Sequence, residues 1–147
     1  MREDAGPYRL LERTGEDQLG ETFRARDTAR GRTALVRVVH ARIAADHAGR
    51  AALVADARKA AAISHPSVAA LFDVIDEGGD LVLAHEHVEG RTLAATLGGT
   101  PLNPRLAVAI GTQIADALPE LHAPAPPPRA LAAPHTPLPP RGPPTPP

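Results

Sequence analysis

Apolar side chains recur at alternate positions, or run on between turn residues, in five short segments, which read as strands. The first three are Tyr8 to Arg13, Thr22 to Asp27 and Thr33 to Val39. Leu71 to Asp76 and Asp80 to Glu86 follow, joined around Gly78-Gly79, a hairpin-type turn. Between the third and fourth strands the pattern changes to helical spacing. An Ala-rich helix is predicted from about Ala48 to Ile63, with Leu53, Ala57, Ala60 and Ile63 on its apolar face and His65-Pro66 stopping it. A second helix begins near Pro104, a favoured first-turn proline, and carries Leu106, Ile110, Ile114 and Leu118 at a strict four-residue spacing. Pro119 is expected to damage the end of that helix, since an interior proline costs roughly 3 kcal/mol. No internal repeat is visible.

Composition narrows the class. The 147 residues suffice for one domain of ordinary size, and 43% hydrophobic with 22% charged residues fits a soluble globular protein. Aromatics are only 2%, namely Tyr8, Phe23 and Phe72, so the core is built from Leu, Val, Ile and Ala and stability should be modest. A net charge of -1 gives no reason to invoke nucleic acid or an anionic membrane. Without cysteine there is neither disulfide nor thiolate chemistry, which agrees with a reducing cytosol. The charged start MREDAGPY lacks the apolar run of a signal peptide, and no stretch reaches the length of a membrane span. A cytoplasmic location is the expectation.

Near His122 the composition breaks. Twelve of the 17 prolines fall within 124–147, and proline removes backbone donors and fixes φ. The expected organisation is therefore a folded unit over 6–122 and a Pro-rich tail over 123–147, extended, partly polyproline II and disordered when alone.

Three sites carry candidate chemistry. The first is Gly15-Glu-Asp-Gln-Leu-Gly20-Glu-Thr22, a glycine-containing hairpin between two strands. The second is Ala-Leu-Val-Arg-Val-Val over 34–39, with Arg37 between apolar neighbours. The third is Asp56 on the first helix, with Leu53 one turn before it. Taken singly they read as a plain turn, an exposed strand arginine and a solvated helix carboxylate. In this order and spacing they resemble the start of a bacterial serine/threonine protein kinase, the N-terminal ATP-binding lobe alone.

That resemblance implies an α+β fold: a protein-kinase-like N-lobe, a five-stranded antiparallel sheet with one packed helix, plus a following helix. It also assigns roles. Gly15 and Gly20 match two of the three glycines that let backbone amides approach ATP phosphates, while Asp17 replaces the middle one. A carboxylate there would repel phosphate by roughly 1 to 4 kcal/mol per charge pair, depending on screening. Thr22 stands where an apolar residue covers adenine. Arg37 stands in place of the strand lysine, and Asp56 in place of the helix glutamate that pairs with it. An Arg37–Asp56 ion pair is the expected tie between helix and sheet, and Lys59 a solvated surface residue. Fifteen of the 16 basic residues are Arg, so the exchange of Lys for Arg also reflects GC-rich coding.

Further on, the segment over 63–93 resembles the run from the regulatory helix into the hinge. Glu86-His87-Val88 would be that hinge, its backbone bonding adenine through Glu86 and Val88, with His85 gating the space behind. His85 and His87 are read as hinge residues and not as metal ligands, because no third ligand is evident. Residues 113–122, QIADALPELH, resemble the helix before the catalytic loop.

After Glu120 the chain has no Asp, Glu or Asn to hold Mg²⁺ or orient a hydroxyl. The expectation is a truncated, degenerate kinase-like domain that binds ATP weakly, holds no Mg²⁺ and does not transfer phosphate alone. A non-catalytic, pseudokinase-like module serving an unknown protein partner is the alternative. A third reading places function in the tail, where Pro124-Ala-Pro-Pro127-Pro-Arg129 fits a polyproline ligand with a flanking Arg. Kinase-like sequence gives way within two residues of His122 to Pro, Ala, Arg, Thr and Leu, which GC-rich DNA encodes out of frame. A frameshift within a longer kinase gene is therefore expected, and the other two reading frames after codon 122 test it.

Overall fold

The structure is a computed structural model that describes residues 3–123. Its main feature is one antiparallel sheet of six strands: β1 Asp4–Ala5, β2 Tyr8–Glu16, β3 Gly20–Asp27, β4 Arg32–Val39, β5 Leu71–Glu77 and β6 Asp80–Glu86. Their order across the sheet is β1-β2-β3-β4-β6-β5. Five of these are the strands the sequence predicts. The sixth, β1, pairs Asp4 with Arg9 and Ala5 with Tyr8 around Gly6, whose φ is 59°. Two residues are too few to show an alternating pattern, which is why five strands were expected and six are found.

Four helices accompany the sheet: α1 Ala41–Ala44, α2 His47–Ala61, α3 Leu93–Leu97 and α4 Pro104–His122. Helix α2 starts where the Asp46 side chain accepts the Gly49 N–H at 2.9 Å, an N-cap. It buries Val54 and Ala57, with Leu53 and Ala60 beside them, against Val39, Leu71, Leu81 and Leu83. Arg50 fastens its first turn to the β5–β6 hairpin by donating to Asp76 and to the carbonyls of Gly79 and Asp80, both at 2.8 Å. The opposite face of the sheet closes over Tyr8, Ala25, Ala34, Val36, Val82 and Ala84.

Two helical expectations need correction. Helix α4 continues through Pro119 to His122, and the Ala123 N–H bonds the Pro119 carbonyl at 2.9 Å. Proline removes only its own donor, and near the C-terminal end few bonds depend on it. The buried residues of α4 are Ile110, Ala117 and Leu121, while Leu106 is 45% exposed. A strict four-residue spacing drifts by about 40° per step around a 3.6-residue helix, which carries Leu106 off the buried stripe. No helix among the described residues is long and apolar enough to cross a membrane. The Pro-rich tail expected from 123 lies, beyond Ala123, outside the described residues.

Candidate functional site

Gly15, Thr22 and Arg37 come together as neighbours across three strands. Gly15 faces Thr22 on β3, Thr22 faces Arg37 on β4, and Arg37 faces Leu83 on β6. Side chains at one register level share a sheet face, and this is the face that α2 covers through Leu83. The β2–β3 hairpin therefore hangs beside the one cation of this row. Gly20 enters β3 so close to β4 that a Cβ would run into the Val38 carbonyl, which accounts for glycine there.

The hairpin is organised by Asp17. Its Oδ1 accepts the N–H groups of Leu19 at 2.9 Å and Gly20 at 3.2 Å. Its Oδ2 lies 2.7 Å from Arg37 Nη2, with the two side chains only 25% and 16% exposed. Two further residues hold the loop from outside: His40 Nε2 sits 3.0 Å from the Asp17 carbonyl, and Arg42 donates to the Gln18 carbonyl at 3.0 Å. Neither was found from the sequence, since no motif marks a residue that only supports a turn. Asp17 itself carried a legible signal, because Asp at the start of a short glycine-containing turn favours an Asx turn, its carboxylate accepting backbone N–H groups ahead.

The expected Arg37–Asp56 pair is not formed. Arg37 takes Asp17 instead, and Asp56 is exposed, with Lys59 Nζ at 3.9 Å. The packed face of α2 runs through Val54 and Ala57, and Asp56 lies about 100° around the helix from Ala57, away from the strand. Leu53 is half-buried beside that face, so the residue spacing was right and the carboxylate direction was not.

Toward the other end of β6, Glu86 stands three residues beyond Leu83, about 10 Å along the strand. Its N–H donates to the Ala70 carbonyl at 2.8 Å and its carboxylate accepts the Ala70 N–H at 3.1 Å. Glu86 thus fastens the end of β6 to the segment before β5, and the half-buried Val88 follows just past the strand. His85 lies between Leu35 and Leu71 in the sheet register. Burial, helped by the Arg37 charge, pushes its pKa down to about 4, so the ring is neutral near pH 7. Among the described residues no group of three or more His, Asp or Glu side chains is placed to hold a metal.

A separate concavity lies away from Arg37. It encloses about 750 Å³ between the end of β4, α1 and the β5–β6 turn, lined by Val39, His40, Ala44, His47, Arg50 and Asp80. Its half-buried cation, Arg50, is already engaged by Ala44, Gly79, Asp80 and Asp76.

No protein-family model matches the chain. Curated relatives do. The chain is 34% identical over 119 residues to the serine/threonine-protein kinase PknE of Mycobacterium tuberculosis, covering 80% of this chain and 21% of that protein. It is 35% identical over 119 residues to the serine/threonine-protein kinase PknH of Mycobacterium bovis, covering 80% and 20%. The chain thus spans about a fifth of the length of these relatives. Among solved structures it resembles the PknI kinase domain of Mycobacterium tuberculosis, with a TM-score of 0.72 at 22% identity over 82% of this chain and 50% of that one. At that identity the likeness concerns the fold, and it agrees with the sheet and its packed helix described above. The residues aligned with the mycobacterial kinases and the fold they adopt lead to one conclusion: this chain is homologous to the N-terminal lobe of the bacterial serine/threonine protein kinases.

Proposed function

We propose that this lobe keeps a purine-binding cleft of the kinase type with a degenerate phosphate grip, and that the 147 residues by themselves do not transfer phosphate. The observation that carries the reading is the Arg37–Asp17 pair, 2.7 Å long and mostly buried, at the strand position where a kinase holds its phosphate-binding lysine. A guanidinium engaged by a carboxylate of the loop is withdrawn from ATP oxygens. Gly15, Gly20 and Thr22 form the roof of this cleft, and Glu86 and Val88 its hinge. Nucleotide affinity is weak on this reading, and Mg²⁺ adds little, because no carboxylate follows Glu120 to hold it.

The role that follows is that of a non-catalytic module for a protein partner, with the lobe retained as scaffold. Incubation of the purified chain with labelled ATP and a generic protein substrate tests the catalytic half of the proposal. No incorporation is expected. Reproducible transfer that an Arg37→Ala change abolishes would overturn it.

A further inference from the structure

The polar surroundings of Asp17 have the make-up of an anion site. Two backbone N–H groups, from Leu19 and Gly20, point at one carboxylate oxygen, and the Arg37 guanidinium meets the other. Paired loop amides plus a cation are the donor set that binds a phosphate group. Here the set is filled from within. The loop is closed further by the Asp17 N–H donating to the Gly20 carbonyl at 3.0 Å and by His40 at the Asp17 carbonyl. Arg37 Nε is buried and makes no hydrogen bond among the described residues. A bidentate grip would engage it, so the guanidinium meets its anion through Nη2 and keeps an unused donor.

We infer that the Asp17 carboxylate is the resident anion of this cleft, filling the place of a phosphate, and that the cleft therefore selects an uncharged purine nucleoside over its di- and triphosphate. The purine half of this inference rests on the cleft reading above; the resident-anion half stands on the Asp17 contacts alone. A phosphate entering the cleft must displace an anion that already holds the amides and the cation. If the anion stays, two like charges share one small space. A nucleoside meets neither obstacle, since its base and sugar make no demand on Arg37.

Calorimetric titration of the full chain with adenosine, ADP, ATP and inorganic pyrophosphate separates the two halves. The wild-type chain should bind adenosine within about threefold of ADP and ATP, and should not bind pyrophosphate. Asp17→Gly empties the anion place: ADP and ATP should tighten by about tenfold or more, pyrophosphate binding should appear, and adenosine affinity should stay within about threefold. Asp17→Asn keeps an acceptor for the two amides, and so the turn, while removing the charge opposite Arg37; a smaller gain in the same direction is expected and covers a glycine variant that fails to fold. ATP binding about tenfold tighter than adenosine in the wild type overturns the inference. So does adenosine binding with no gain for pyrophosphate or ADP in either folded variant, and the cleft reading survives that result. Variants that acquire pyrophosphate binding while adenosine never binds establish the resident anion and overturn the nucleoside selection together with the cleft reading.

Discussion

The two turns at opposite ends of β3 are built on one chemical plan and differ in what surrounds them. At the β2–β3 turn, Asp17 accepts the amides of Leu19 and Gly20 and meets Arg37. At the β3–β4 turn, Asp27 accepts the amides of Ala29 at 3.1 Å and Arg30 at 3.0 Å, and Arg32 Nε lies 3.2 Å from its second oxygen. In each case Asp takes the N–H groups two and three residues ahead, the Asx turn that short acidic side chains favour. The arginine differs in origin. Arg32 opens the strand that the Asp27 turn leads into, so the whole arrangement is local. Arg37 comes from the interior of β4, 20 positions beyond Asp17, in a row that reaches across the sheet.

A local turn needs only itself, whereas a turn closed by a distant buried cation withdraws that cation from other work. Asp27 is fully buried and serves the fold. Asp17 is a quarter exposed, and on the function proposed above the same motif there controls access for a ligand. Substitution should separate the two. Asp27→Ala removes a fully buried acceptor from two amides and from Arg32, and the melting temperature should fall by about 10 °C or more. A loss no greater than that of Asp17→Ala would show that burial does not distinguish the turns.

Acid should reveal the two ends separately. Burial raises the Asp27 pKa, but the Arg30 amide, the Arg32 side chain and the Ala29 amide outweigh it, and the net direction is below the usual 3.8. A depressed carboxylate pKa gives stability that is present above the ordinary value and lost as pH falls through the folded one. His85, on the face that carries Arg37, acts earlier. Its folded pKa of about 4 lies below the ordinary 6.5, so the unfolded chain binds the proton first and stability falls from about pH 6.5 down to 4. The span corresponds to about 3 kcal/mol. Urea melts at pH 7, 5.5 and 4 should show this decline in the wild type and its removal in His85→Leu. Retention of the slope in that variant would assign it to another group.

Asp17 should cost less than either. Both partners of the pair are partly exposed, so Asp17→Gly should lower stability by about 1–2 kcal/mol, while the inference above expects its ligand effects to be large. A chemical melt beside the titrations described above measures both on one sample. A change in stability larger than that of Asp27→Ala would make Asp17 a structural residue first.

The fold was legible where pattern length was sufficient. Five strands and α2 follow from alternation, Gly78-Gly79 and the helical spacing of Leu53, Ala57 and Ala60. Strand β1 and the short helices α1 and α3 span two, four and five residues, below the length at which a period can be read. Helix α3 did leave a trace, since Thr92 caps it by accepting the Ala95 N–H at 3.1 Å and Gly98 ends it in the left-handed region. At the site, the kinase resemblance singled out Gly15, Gly20, Thr22 and Arg37, and the sheet register sets Gly15, Thr22 and Arg37 side by side. The partner of Arg37 could not be found that way, because a position about two and a half turns along α2 says nothing of its angle to the sheet, and the competing carboxylate was in the loop. Asp17 was read as an obstacle to phosphate by repulsion; the structure adds that it is also bonded where it stands.

The smallest effect is expected where, among the described residues, each end of β3 leaves a buried donor without a hydrogen bond. At the cleft this is Arg37 Nε, and near Asp27 it is the Tyr8 hydroxyl, in a residue with no exposed surface. Tyr8 faces Asp27 across β2 and β3. Burial first, then the charges of Asp73 and Asp27, pushes its pKa up, so the phenol stays protonated and its donor goes unused. An unpaired buried hydroxyl contributes nothing in the folded state and was hydrated in the unfolded one. Removing it with the ring retained should therefore be neutral or stabilising: Tyr8→Phe is expected to change stability by no more than about 1 kcal/mol, and upward if at all. Arg37→Met, which removes the other orphan, also removes the partner of Asp17 and should destabilise. Melting both variants beside the wild type decides the matter, and a clear loss in Tyr8→Phe would mean that a water or a carboxylate completes the Asp27 end, making it the better satisfied of the two turns.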